Sequence, residues 1–415
     1  MPQESRARNS RNISSFPSHL RASSEAGGSF PRSLDMKYID GFRNPGAAAA
    51  LREDIQSLTD QLPHAERTPP LRPTGYGGQV GGQTNIMEVC GSHTMAIARY
   101  GIRDILPEQI NLISGPGCPV CVTDAGYIDA AIELARRGIM VVTFGDMLNV
   151  PGSDTSLAAV RSEGCPIEVC YSPLRALELA KEIPNREIVF LAIGFETTVA
   201  PSVAIIEQAI EQGLENLSIL VAFKLVPPAL AALGSDPELQ IDAFLCPAHV
   251  SAIIGADAYK PFTGEGGIPC VVAGFEPLDI LLGLKGILTQ LVSGVAEVDN
   301  QYSRVVSAKG NALALALMDK YLKPADVSWR GIGVIPLSGL ALKDQWSRYD
   351  AEKRHDITVE IGTMNPACRC GEVIKGISRP FDCPMFGKTC TPNHPFGPCM
   401  VSSEGSCAAY YKYSR

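Results

Sequence analysis

Of 415 residues, 45% are hydrophobic and 19% charged, and the formal net charge is −8. That excludes a fibrous or wholly disordered chain and leaves no basic footprint for nucleic acid. The most apolar long stretch, Asp279 to Val298, is broken by Asp279, Lys285 and Glu297, so no membrane crossing is expected.

Taken in chain order, residues 1–35 are rich in Ser, Arg and Pro and have too few large apolar groups to offset their ordering entropy, so a disordered extension is expected there. The arginines near the N-terminus precede no apolar core of secretory type, and a cytoplasmic chain is expected. Order begins near Met36. Asn44 suits an N-cap, Pro45 suits the first helical position, and Leu51, Ile55, Leu58 and Leu62 form one stripe. Between Pro63 and Thr84, four prolines and five glycines predict a loop or linker, so 36–84 reads as an N-terminal helix and linker.

From about 85 to 340, β-rich runs alternate with helical stretches: Ile110–Ser114, Ile139–Phe144, Ile188–Ile193, Ile219–Phe223, Ile241–Leu245, Ile268–Ala273 and Gly331–Pro336. This alternation predicts an α/β protein with two parallel-sheet βαβ domains, 85–180 and 181–340, followed by a small C-terminal domain over 341–415. The helix Asp124 to Arg137 is well marked, because Ile128, Ile132 and Ala135 share a face and Gly138 ends it. Three strand ends, at Asp146, Glu196 and Glu276, carry an acid after Gly or Phe, and ligands in open α/β sheets sit outside such ends.

Thirteen cysteines in a chain large enough to bury a core without covalent staples read as reduced thiols for metal or redox work. Six of them, Cys368, Cys370, Cys383, Cys390, Cys399 and Cys407, crowd the tail. Structural zinc generally takes two closely spaced Cys pairs, whereas one C-x-C followed by wide gaps favours an iron–sulfur cluster. Cys118-Pro-Val-Cys121 stands at the entry to the Asp124 helix, where the positive end of the dipole activates thiols for redox exchange or metal binding. In Glu88-Val-Cys90-Gly-Ser-His93, Cys90 and His93 are spaced so that both can face one ion, or His93 can support it from outside. Glu196 and His249 fall at strand ends, placed to exchange protons or hydrogen bonds. No Walker motif or dinucleotide fingerprint occurs.

Glu88-Val-Cys-Gly-Ser-His-Thr, Ser114-Gly-Pro-Gly-Cys-Pro-Val-Cys-Val-Thr123, Gly194-Phe-Glu-Thr-Thr198, Pro247-Ala-His-Val-Ser251 and the tail from Cys368 to Cys407 resemble the HypD family of hydrogenase maturation factors. The resemblance implies a scaffold on which the Fe(CN)2CO unit of [NiFe]-hydrogenase is assembled, working with a HypC-type small chaperone and a HypE-type cyanide donor. It implies Cys90 as the iron thiolate with His93 beside it, and Cys118 and Cys121 as a redox pair. The family spacing C-x14-C-x6-C-x16-C selects Cys368, Cys383, Cys390 and Cys407 for a [4Fe–4S] cluster and leaves out Cys370 and Cys399. The competing function is a thiol-disulfide oxidoreductase that uses such a cluster to reduce protein disulfides.

Overall fold

Short β-branched runs become strands wherever flanking glycines and helices let them pair. In chain order these are β1 (Thr84–Glu88), β2 (Ile110–Ser114), β3 (Met140–Phe144), β4 (Ile167–Cys170), β5 (Ile188–Gly194), β6 (Leu217–Lys224), β7 (Ala243–Pro247), β8 (Cys270–Ala273), β9 (Val298–Asn300), β10 (Leu322–Trp329) and β11 (Gly333–Leu342). The computed structural model describes residues 43–62, 83–236 and 238–414; the extension 1–35 and most of the Pro63–Thr84 loop lie outside them.

Among the described residues the strands form two sheets. The first, in spatial order β2-β1-β7-β8-β9, is parallel throughout. The second runs β10-β11-β6-β5-β3-β4; its β4, β3, β5 and β6 are parallel, while β11 pairs antiparallel with both β6 and β10. The expectation of two parallel sheets is therefore corrected to one parallel and one mixed sheet. The run at Gly331–Pro336 is not a crossover strand: β10 and β11 are separated by a tight turn at Arg330 to Ile332, and so short a connection permits only an antiparallel pair.

Each sheet is drawn from two separated stretches of chain. The chain forms β1 and β2, leaves to build β3 to β6, returns for β7 to β9, and crosses back for the β10–β11 hairpin. A boundary at 180/181 thus falls inside the second sheet, between β4 and β5.

The expected first helix spans Pro45–Thr59, and Asn44 caps it by accepting from the amides of Gly46 and Ala47. Ile55 enters a core with Ile97, Leu245, Val271, Leu284 and Ile287, beneath the helix Pro277–Ser293. Two ion pairs, Arg43 to Glu276 at 2.6 Å and Lys285 to Asp54 at 2.7 Å, flank that contact. Glu276 is thereby occupied in fastening the first helix.

Candidate functional site

The first sheet presents its sulfur and imidazole groups at the carboxyl ends of its strands, the edge where an open parallel sheet offers a crevice. Past β1, Cys90 adopts extended geometry (φ −145°, ψ 125°) and forms the N-cap of the helix Gly91–Arg99. Two glycines let other segments close on it. The Gly91 amide donates to Gly117 O at 3.0 Å, and a Cβ on Gly117 would lie 2.4 Å from the Cα and N of Cys90. A Cβ on Gly91 would lie 2.4 Å from that of Glu404, whose carboxylate accepts from Ser92 Oγ at 2.7 Å.

The helix end favours a thiolate at Cys90, but burial outweighs it, and with the Glu404 carboxylate it pushes the thiol up to about 12. Cys90 is therefore a neutral thiol at pH 7. Beneath it, Glu88 accepts from Thr94 Oγ1 at 2.7 and 2.9 Å, and burial raises its carboxyl to about 7 against the opposing Arg103 guanidinium.

His93 is fully buried. Carbonyls only accept, so its Nε2 carries the proton and donates to Gly274 O at 2.9 Å and Ala273 O at 3.2 Å. Its Nδ1 lone pair is buried and has no partner among the described residues. Burial lowers the ring to about 4, so it is neutral at pH 7. The Phe275 ring packs on both His93 (4.7 Å) and His249 (4.2 Å). Burial lowers His249 too, with Glu404 opposing. Cys90, His93 and His249 are thus gathered into one neighbourhood.

Cys118 and Cys121 are both buried and are joined as a disulfide with Cα atoms 5.2 Å apart. The pair occupies a short helical turn of its own, Pro119–Val122, rather than opening the longer helix, which starts at Ala125 under an Asp124 cap. Cys121 Sγ lies 3.8 Å from Pro398 O, beside Cys399.

All six tail cysteines line one cavity, with Val373, Met385, Phe386 and Met400 completing its apolar wall. The spacing-selected Cys368, Cys383, Cys390 and Cys407 are there, and so are Cys370 and Cys399. The Phe396 amide donates to Cys390 Sγ at 3.5 Å, and a Cβ on Gly397 would lie 2.7 Å from Cys368 Sγ. Burial, then the neighbouring thiols, holds Cys407 far above the ordinary thiol range. Among the described residues no three His, Cys, Asp or Glu side chains converge as one ion requires; the thiols instead ring the cavity. Soft donors around an apolar wall fit a thiolate-held iron–sulfur group.

Glu196 stands apart, at the carboxyl end of β5 in the second sheet. Its Oε1 accepts from the Val226 amide at 2.9 Å, its Oε2 is buried with no partner among the described residues, and burial raises the carboxyl to about 7. Its link to the first sheet runs through Tyr259, which feels its charge and whose OH meets Ser251 Oγ at 3.0 Å on the helix that carries His249. Residue-type reasoning assigned no role to Glu404, although it lies between Ser402 and Cys407 in the tail motif, or to Phe275, although it precedes Glu276 at a strand end.

The fold and site define a two-sheet α/β protein with three thiol groups set end to end. Comparison with known proteins places it further: the profile described as "HypD: Hydrogenase formation hypA family" matches residues 78–414. The chain is 46% identical to the hydrogenase maturation factor HypD of Azotobacter vinelandii over 388 residues, 92% of this chain and 97% of that one. It is 41% identical to HypD of Escherichia coli over 381 residues, 91% and 98% of the two chains. Identity to a putative hydrogenase expression/formation protein of Methanocaldococcus jannaschii is 42% over 330 residues, 80% and 92%. The chain belongs to the HypD family of hydrogenase maturation factors. No described helix is long and apolar enough to cross a membrane.

Proposed function

We propose that the chain is the scaffold and redox protein on which the Fe(CN)2CO unit of [NiFe]-hydrogenase is assembled, working with a HypC-type chaperone and a HypE-type cyanide donor. The observation that carries this reading is the continuity of the sulfur groups. Cys90 rests on Gly117, Cys118 is joined to Cys121, and Cys121 reaches Pro398 at the rim of the thiol-lined cavity.

In this reading Cys90 is the iron thiolate. Its proton is released as the cation arrives, since burial and Glu404 forbid a bare thiolate. His93 is held in one tautomer, so Nδ1 offers a lone pair to the incoming unit, as ligand or as hydrogen-bond acceptor, without giving up a proton. Reduction of Cys118–Cys121 takes two electrons and two protons and yields two thiols. Cys368, Cys383, Cys390 and Cys407 would hold a [4Fe–4S] cluster, which would relay those two electrons one at a time from an external one-electron donor. Glu196, poised near neutrality, and His249 are the groups suited to exchange protons nearby.

The test is infrared spectroscopy of the chain purified anaerobically with its HypC-type partner. Bands of metal-bound CN and CO are expected. A colourless zinc-bearing chain contradicts the reading, and so does turnover of generic protein disulfides without iron at Cys90.

A further inference from the structure

The turn between β10 and β11 carries a charge that the scheme above does not use. Arg330 is 4% exposed, and among the described residues no carboxylate forms an ion pair with it. Its backbone amide donates to Val122 O at 2.8 Å and its Nε to Thr123 O at 2.7 Å, both at the end of the disulfide-bearing turn. A further guanidinium nitrogen donates to Pro151 O at 3.3 Å. The next residue, Gly331, lies against the Cys370 helix, where its Cβ would stand 2.2 Å from Gly371 Cα. Arg330 also lines, with Cys368 and Cys370, the cleft that opens toward the tail, and the groups near enough to act on its charge are the sulfur of Cys370, the Asp124 carboxylate and the sulfurs of Cys399 and Cys368.

A buried guanidinium without an ion pair is costly unless something anionic balances it. Carbonyls satisfy its hydrogen bonds but not its charge. The negative groups near it are the Asp124 carboxylate and, once it holds metal, the thiolate of Cys368, the member of the ligand quartet that shares its cleft.

We propose that Arg330 is a positioning residue that fastens the Cys118–Cys121 turn to the thiol-lined cavity and, as its resident cation, sets the reduction potential of the group the thiols hold. This rests on the redox reading given above. One added electron makes a thiolate-held group more negative, so a fixed cation beside it favours the reduced form. The Arg fork matters for the carbonyls of the turn, and the charge matters for the potential; Lys keeps the second without the first.

The experiment compares the full chain with R330K and R330Q after anaerobic reconstitution with iron and sulfide, each titrated optically for its midpoint potential. R330Q is expected to shift the one-electron equilibrium at least tenfold toward the oxidised form, about 59 mV more negative. R330K is expected to stay within threefold of the parent. Uptake of the full cluster by R330K but none by R330Q also supports the charge role. Equal potentials in all three chains, equal shifts in both variants, or loss of the cluster in both overturns the inference. A parent chain that takes up no cluster refutes the redox reading instead, and with it the ground for the inference.

Discussion

Glu196 allows a worked test of how deeply the site is buried. Its carboxyl is raised from 4.5 to about 7, with burial as the first cause and hydrogen bonds from the backbone of Glu196 itself and of Val226 opposing. Between those two values the folded chain holds a proton that the unfolded chain has released. Stability from this group therefore falls as pH rises from about 4.5 to about 7, and is level above that. At about 1.4 kcal/mol per pH unit, the loss amounts to about 3 kcal/mol. Glu196→Gln removes the ionisation while its amide oxygen still accepts from the Val226 amide. Urea unfolding of parent and variant at pH 4.5 and pH 8 gives the comparison. The variant is expected to gain about 3 kcal/mol on the parent between the two pH values, on the order of a hundredfold in the unfolding equilibrium. Parallel pH profiles would show that Glu196 ionises freely, and would refute its placement as an unsolvated carboxyl.

Gly117→Ala places a methyl 2.4 Å from backbone atoms of Cys90, which cannot rotate away, so a loss of about 1–3 kcal/mol is expected; Gly145→Ala, whose Cβ meets nothing closer than 3.6 Å, is the control and is expected to change stability by under about 0.5 kcal/mol. Equal melting of the two variants would remove the close approach of the two motifs. Single Ala replacements of Cys368, Cys383, Cys390 and Cys407 are expected to abolish the broad visible absorption of the reconstituted chain and lower its iron content, whereas Cys399→Ala retains both. Equal loss at Cys399 would mean that the ligand quartet is wrongly drawn from the six thiols of the cavity.

Local signals carried much of the fold. β2 coincides with the expected run Ile110–Ser114, because Ile110, Leu112 and Ile113 make a buried strand that Gly115 ends. Asn44 and Pro45 marked the first helix for the same reason: cap and first-turn chemistry are written in adjacent residues. β10 was not legible, since Lys323, Pro324 and Asp326 interrupt its pattern and suit an edge strand. Without β10, the hairpin was invisible and β11 read as one more parallel strand. The interleaving of the two sheets was beyond local reading, because pairing β1 with β7 joins residues far apart in the chain. In the site, the thiol motifs stood out by density. The approach of Glu404 to Gly91, and of Arg330 to Thr123, is tertiary and left no periodic trace in the sequence.

The central claim is that Cys90 carries the iron of the Fe(CN)2CO unit. Its most direct test is the infrared spectrum of Cys90→Ser purified anaerobically with the HypC-type partner, beside the parent and Cys121→Ser. A hydroxyl in place of one buried thiol leaves the fold and the tail cluster in place, so Cys90→Ser is expected to keep the cluster absorption and lose the CN and CO bands. Bands retained in Cys90→Ser and lost in Cys121→Ser would contradict the account and move the iron to the Cys118–Cys121 pair.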